Sequence, residues 1–375
     1  MRAPSRRGQV EPFHVMEVLK AGALRNQTHS DTIFLCAGQP STPAAQPVLD
    51  AARQALATDL LGYTEATGIL PLRRAIASYH QATSGIDVNP DEVVVTTGSS
   101  GGFVALFLAA FDAGSTMVMA RPGYPAYRNT LRALGCRVVE LDCGPDVRFQ
   151  PTLAQLAALP RVPDGLIIAS PANPTGTIID PAELAAIARW CSEVGCLLIS
   201  DEIYHGISYG RDCLSAWQLG PAERDSVVVG SVSKFFSMTG WRLGWMLLPQ
   251  PLLRPVELLT GNLSICPPTI AQHAAVAAFG ADARVALTGH VQAYARNREL
   301  LMHRLPEIGI TSYAPPDGAF YAWCDVSHLT DDSTRWCAEA LAATGVALTP
   351  GIDFDTVNGH KFVRLCFAGP TVDLH

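Results

Sequence analysis

Charge is scarce in this chain of 375 residues. Charged residues make up 16% and aromatic ones 7%, while hydrophobic residues reach 48%. That balance suits a compact enzyme and argues against a disordered chain. The net charge is −7, and no basic block is longer than the Arg6-Arg7 pair, which argues against nucleic acid as a main partner. The ten cysteines (Cys36, Cys136, Cys143, Cys191, Cys196, Cys213, Cys266, Cys324, Cys337 and Cys366) form no Cys-x-x-Cys pair. They read as reduced, mostly buried thiols of a cytoplasmic protein. The ten histidines show no metal-ligand spacing and no His-Glu-x-x-His, so no metal is expected. A Gly-x-Gly-x-x-Gly dinucleotide fingerprint is also missing. No apolar stretch approaches the length of a membrane span, and no apolar signal region follows the basic Met1–Arg7 segment. Internal repeats and low-complexity linkers are lacking too.

What is present is a rhythm of short apolar runs. Val93–Thr97, Thr116–Ala120, Arg137–Leu141, Leu166–Ala169, Cys196–Ser200, Val227–Val229 and Leu243–Leu248 read as strands. Helical stretches alternate with them, among them Phe103–Phe111 and Ala182–Val194. Near-continuous apolar strands separated by helices predict an α/β fold, a mainly parallel seven-stranded sheet sandwiched by helices. Ahead of the first strand lie an amphipathic stretch, Phe13–Leu24, a short strand ending at Gly38-Gln39-Pro40, and helices over Ala44–Ala57 and Leu70–Tyr79. A helix-rich stretch, 251–305, and a mixed segment to the end predict a smaller α+β domain. The expected division is a large domain over 43–284 and a small one from 1–42 plus 285–375.

The polar residues that stand out all fall at strand ends, where open α/β sheets bind their ligands. The run Gly230-Ser231-Val232-Ser233-Lys234 follows a buried strand, and Arg242 stands eight residues past the lysine between Trp241 and Gly244. A lone lysine is usually a solvated surface cation. An amine poised for an imine, with hydroxyls and a guanidinium to hold a phosphate, explains this company better. Lys234 is therefore read as the anchor of pyridoxal 5′-phosphate (PLP). Ser99, Ser100 and Gly101 open a helix after a strand and suit the phosphate; Ser231 and Arg242 add a hydroxyl and a cation. Asp201, ending a very apolar strand, is the candidate to face the pyridine nitrogen. Asn173 and Tyr204 can hydrogen-bond the ring's O3′, and Tyr124 can stack on its face.

This set resembles the class I/II, fold-type-I PLP aminotransferases, the aspartate aminotransferase-like family. The matching pieces are Gly62-Tyr63, Ser99-Ser100-Gly101, Tyr124, Asn173-Pro174-Thr175-Gly176, Asp201-Glu202-x-Tyr204, Ser231-x-Ser233-Lys234, Met238–Gly244 and Arg364. The resemblance implies Lys234 as the imine-forming lysine and general acid/base, with Asp201 and Tyr204 as its catalytic company. Ser99, Ser100, Gly101, Ser231, Ser233 and Arg242 would surround the phosphate, and Gly38, Asn173 and Arg364 would receive the substrate carboxylate. Tyr63 would reach the phosphate site of a second subunit in a homodimer. The implied reaction moves an amino group between an L-amino acid and a 2-oxo acid in two half-reactions. Aspartate aminotransferase-like specificity is one option; against it, Ser99-Ser100 stands where some aspartate-specific relatives carry a lysine. The family also closes with a further helix, whereas eleven residues follow Arg364 here.

Two other readings compete. A β-lyase or decarboxylase of the same fold would keep the cofactor. A serine hydrolase would use Ser100 of Gly98-Ser99-Ser100-Gly101-Gly102 as nucleophile, with His273, His303 or His360 as base. Side-chain specificity is expected to come from Gln39, Glu65, Thr67 and Tyr321.

Overall fold

The computed structural model describes residues 3–220 and 225–375. In chain order its helices and strands begin with α1 (His14–Asn26), β1 (Ile33–Phe34), α2 (Gln46–Thr58), α3 (Leu70–Ser84), β2 (Val93–Thr96), α4 (Gly98–Ala110) and β3 (Thr116–Arg121). Next come α5 (Pro125–Leu134), β4 (Arg137–Asp142), α6 (Leu153–Ala157), β5 (Gly165–Ala169), α7 (Pro181–Val194), β6 (Leu197–Asp201), β7 (Val227–Ser231) and β8 (Gly244–Leu247). The chain finishes with α8 (Gln250–Ser264), α9 (Thr269–Ala278), α10 (Ala281–Arg304), β9 (Tyr321–Asp325), α11 (Ser333–Thr344), β10 (Val346–Ala347), β11 (Thr349–Pro350) and β12 (Phe362–Cys366).

Seven strands form one sheet in the order β2-β8-β7-β6-β5-β3-β4. The pairs from β7 through β4 are parallel, while β8 runs antiparallel to both β7 and β2. Successive side chains on a strand point to opposite faces, and both faces are buried here except at the edge strand β4. Val93, Val95, Leu166, Ile168, Leu198, Val228, Trp245 and Leu247 pack into the core on one side. Val94, Ile167, Ile199, Val227, Val229 and Met246 pack into the core on the other, with α4, α5 and α8. This double burial explains why the strands read as continuous apolar runs.

The helices between them are bounded locally. Asp180 caps α7 by accepting from the Ala182 N–H, Pro181 opens the helix, and Gly195 closes it in the left-handed region at φ 73°. A third core surrounds the antiparallel sheet β11-β12-β9. Helix α10 runs from one core to the next: Ala283 and Leu287 belong to the first, Tyr294 and Leu301 to the last.

Register places the polar edge. Asp201 is paired with Ala169 of β5, and Gly244 with both Ser231 of β7 and Thr96 of β2. The loops that follow β2, β5, β6 and β7 therefore leave from one edge of the sheet. They carry Asn173, Tyr204, and Lys234 with Arg242, and the connection after β2 leads at once into the first turn of α4 with Ser99-Ser100. No helix among the described residues is long and apolar enough to cross a membrane.

Candidate active site

These loops enclose a cavity of about 220 Å³. Gly38, Ser99, Ser100, Tyr124, Asn173, Asp201, Tyr204, Ser233, Lys234, Arg242 and Arg364 all line it. At its floor, Asp201 is 3% exposed. Its Oδ1 accepts the Ile203 N–H at 3.1 Å, and its Oδ2 accepts the Tyr127 hydroxyl. Burial pushes the carboxyl up to about 6, against the pull of those two donors and of Lys234. The Lys234 Nζ donates to the Gly38 carbonyl at 2.7 Å and lies 5.6 Å from the Tyr204 ring centre. Burial brings this amine down to about 8, with Arg364 and Arg242 pulling the same way and Cys366 and Asp201 opposing. A neutral, nucleophilic amine is thus accessible near neutrality.

One end of the cavity is made by α4. Its cap residue Thr97 gives no side-chain hydrogen bond, so the first N–H groups of the helix have no cap from their own segment. Gly98 sits at φ +67°, and a Cβ there would strike the Arg242 guanidinium. Helix start and cation are thus in direct contact. Arg242, itself at φ 53°, is held by donating Nη1 to the Thr239 carbonyl at 3.0 Å. A dianion fits this donor set.

Arg364 forms the other end. It is 2% exposed, donates Nη1 to Asn173 Oδ1 at 2.8 Å and Nη2 to the Cys36 carbonyl at 2.7 Å, and its buried Nε has no partner. Its guanidinium carbon lies 4.4 Å from the Tyr321 ring centre and 4.7 Å from that of Phe354. An orphaned charged donor in a cavity wall fits a carboxylate. The Tyr204 and Tyr321 hydroxyls are joined at 2.6 Å, and burial holds the Tyr204 phenol far above its usual range, so it stays protonated.

Three expected residues lie elsewhere. Ser231 does not line this cavity: its Oγ donates to the Leu243 carbonyl at 3.3 Å and accepts the Ser233 N–H at 3.0 Å, so the turn itself consumes the hydroxyl. Gly101 lies within α4, off the cavity wall. Tyr63 is 82% exposed and also stands away from it. Of the four specificity positions, Gln39 and Tyr321 line the cavity and Glu65 and Thr67 do not. Sequence reasoning missed Phe13, Val15, Met16 and Leu19, which wall the cavity from α1 and the residue before it. It also missed Tyr127 as the partner of Asp201. The amphipathic pattern of Phe13–Leu24 marked an apolar face without saying what it covers.

No histidine lines the cavity, and Ser100 is exposed. His273 faces Asp59 at 3.8 Å, His303 faces Glu307 at 3.7 Å, and His360 is exposed. The hydrolase triad is therefore not assembled. Among the described residues no cluster of potential metal ligands exists.

The model of the aminotransferase class I and II family matches residues 30–374. The chain belongs to this family. Among relatives, the valine–pyruvate aminotransferase of Mycobacterium tuberculosis is 54% identical over 370 residues, 98% of this chain and 95% of the relative. The aspartate/prephenate aminotransferase of Thermus thermophilus is 34% identical, over 98% of this chain and 95% of its own. Among solved structures, an aminotransferase from M. tuberculosis superposes with a TM-score of 0.97 at 53% identity, covering 100% of this chain and 96% of that one. The T. thermophilus aspartate aminotransferase with maleate gives 0.93 at 32% identity, covering 100% and 97%. The chain is a PLP-dependent aminotransferase of fold type I, acting on amino acids and 2-oxo acids.

Proposed function

We propose that this aminotransferase takes its amino group from L-amino acids with apolar aliphatic side chains and passes it to a small 2-oxo acid of the pyruvate type. One observation carries the reading. The cavity's three cations among the described residues, Lys234, Arg242 and Arg364, each have a task at the amine, phosphate or carboxylate. The remaining outer wall is Phe13, Val15, Met16 and Leu19. An aliphatic chain gains by burial against such a wall, whereas a second carboxylate would lose its hydration with no cation left to meet it. The name of the M. tuberculosis relative agrees with this reading.

When bound, PLP supplies a carbonyl carbon that takes up an amine and a protonated ring that draws electrons from the Cα bond being broken. The residues divide the remaining work. Asp201, carrying its charge above about pH 6, holds the ring nitrogen's proton. Asn173 and Tyr204 orient O3′, with Tyr321 fixing Tyr204 and Arg364 fixing Asn173. The uncapped start of α4, Ser233 and Arg242 bind the phosphate. Arg364 takes the α-carboxylate through Nε and the in-plane N–H groups of its fork. Lys234, once free, removes a proton at Cα and returns one on the other side of the transfer. Tyr124 closes the ring face.

Three further parts belong to the same reading. A homodimer is supported by the exposed Leu60, Tyr63, Leu258, Leu263 and Ile265. They belong to neighbouring segments, since the Thr269 hydroxyl donates to the Gly62 carbonyl at 2.7 Å. A reducing, cytoplasmic setting is supported by ten free cysteines, eight of them buried. The division into 43–284 and 1–42 plus 285–375 is supported in outline by the separate cores joined by α10, with Leu287 packing into the first core and Tyr204 and Ile207 into the last.

A donor panel of valine, leucine, alanine and aspartate, each with pyruvate and with 2-oxoglutarate, tests the assignment. Valine or leucine is expected to exceed aspartate in kcat/KM by about tenfold or more. A preference for aspartate would overturn the aliphatic reading and restore the aspartate-type one.

A further inference from the structure

Helix α1 walls the cavity, yet nothing in its own sequence caps it: Phe13, at the cap position, supplies no side-chain acceptor. The cap comes from far along the chain. Asp353 accepts the His14 N–H at Oδ1 and the Val15 N–H at Oδ2, each at 3.0 Å, across 339 and 338 residues. Asp353 is 2% exposed. A carboxylate so buried is costly unless met by donors, and here two helix N–H groups and the positive end of the helix meet it. The nearby Arg128 does not take the carboxylate. It donates Nη2 to the Asp353 backbone carbonyl at 3.1 Å and pairs through Nη1 with Glu140 at 3.0 Å.

The residue after Asp353 turns the other way. The Phe354 ring lies against Arg364 and meets Trp323 edge-on at 5.8 Å. Val15 belongs to that same apolar cluster, with Phe13 and Leu19 packed against it. One short turn, Gly351–Asp353 with Phe354 behind it, thus seats both the helix at the side-chain end of the cavity and the guanidinium at its carboxylate end. Asp353 itself does not line the cavity.

We propose that Asp353 is a positioning residue for the substrate: by holding the first turn of α1, its carboxylate sets how far the apolar wall stands from Arg364 and hence which side-chain length the site accepts. The proposal rests on the aliphatic reading above. Its signature is a loss graded by chain length. An acid with no side chain reaches only Arg364 and does not feel the wall; a branched acid fills the gap between them.

The test titrates PLP-loaded wild type, Asp353→Ala, Asp353→Asn and Phe354→Leu with acetate, propanoate and 3-methylbutanoate, following cofactor absorbance near about 420 nm. In Asp353→Ala, 3-methylbutanoate should weaken about tenfold, propanoate less, and acetate by no more than about twofold. Asp353→Asn retains an acceptor oxygen for one of the two N–H groups, so it should fall between. It also serves if the alanine variant does not fold. Phe354→Leu, which loosens the seat of Arg364 as well as the cluster holding Val15, should weaken all three acids, acetate included. With amino-acid donors, Asp353→Ala should raise KM for valine far more than for alanine. Equal losses across the three acids in the Asp353 variants, or no loss, would overturn the proposal. A wild type indifferent to chain length would sink the aliphatic reading alone. Hydrogen exchange over residues 13–19 then decides the role of Asp353: about tenfold faster exchange in Asp353→Ala supports it, and unchanged exchange overturns it.

Discussion

Asp201 shows how much chemistry one strand end can hold. Its carboxyl is pushed up to about 6 by burial, from an ordinary value of 3.8. In the cofactor-free protein, the folded chain therefore binds a proton between about pH 6 and pH 4 that the unfolded chain does not. Protonation there favours folding. The stability gained is fully present below about pH 4 and is lost as pH rises through about 6. By linkage the difference is on the order of 2–3 kcal/mol. Asp201→Asn, which removes the buried charge, should therefore make the cofactor-free chain more resistant to urea than wild type at pH 7.5, and the advantage should vanish near pH 4. An advantage independent of pH would mean that Asp201 is not the group titrating. Lys234, Asp201 and Asn173 were legible in the sequence because each is a polar residue following or ending an apolar run, and Arg242 because it stands beside Trp241 eight residues past the lysine; Arg364, in the middle of the apolar strand β12, was reached only through the family resemblance. The serines were less so. Of Ser231 and Ser233, the turn after β7 consumes one hydroxyl to satisfy its own backbone, and a Ser-x-Ser pattern does not say which.

At the level of elements, the inner strands and the helices covering them were readable because two-sided burial leaves unbroken apolar runs; the edge strand β4, Arg-Val-Val-Glu-Leu-Asp, is half exposed and shows only a short Val-Val core. The direction of β8 was not read, although a physical clue was present. The segment between β7 and β8 holds only one 3₁₀ turn, Thr239–Trp241, and no α-helix, whereas a parallel return needs a long crossover. Antiparallel β8 brings its first residue, Gly244, between Ser231 and Thr96 and under the start of α4. A Cβ on Gly244 would lie 2.7 Å from the Ser99 backbone nitrogen and 2.9 Å from the Gly230 carbonyl oxygen. Neither is a flexible side-chain end, so the helix start would have to move. Gly244→Ala should weaken PLP binding about tenfold or more, by displacing donors that a phosphate needs within hydrogen-bond reach. Equilibrium titration of the cofactor-free variant with PLP measures this; unchanged affinity would place the phosphate elsewhere. Helix α1 was visible as an amphipathic stretch, but its capping partner stands more than three hundred residues away, beyond any local pattern.

For the whole molecule, Tyr63 is the residue that the single chain leaves unexplained. It is 82% exposed beside Leu60 at 96%, an apolar pair on a loop that does not line the active-site cavity of its own chain. If it completes the phosphate site of a second copy, as the proposed homodimer requires, Tyr63 and Lys234 of one chain serve different sites. Lys234→Ala should abolish steady-state turnover, and Tyr63→Ala should weaken cofactor retention severalfold. Mixing the two variants then has a definite consequence. In a hybrid, one site carries both lesions and the other carries neither, since its lysine comes from the Tyr63→Ala chain and its tyrosine from the Lys234→Ala chain. At a PLP concentration that leaves Tyr63→Ala largely unloaded, the mixture should recover activity that neither variant shows alone, rising as subunits exchange. A mixture that exchanges subunits, as followed by native mass spectrometry, yet stays at the sum of its parts would place Tyr63 in its own subunit's site or in none.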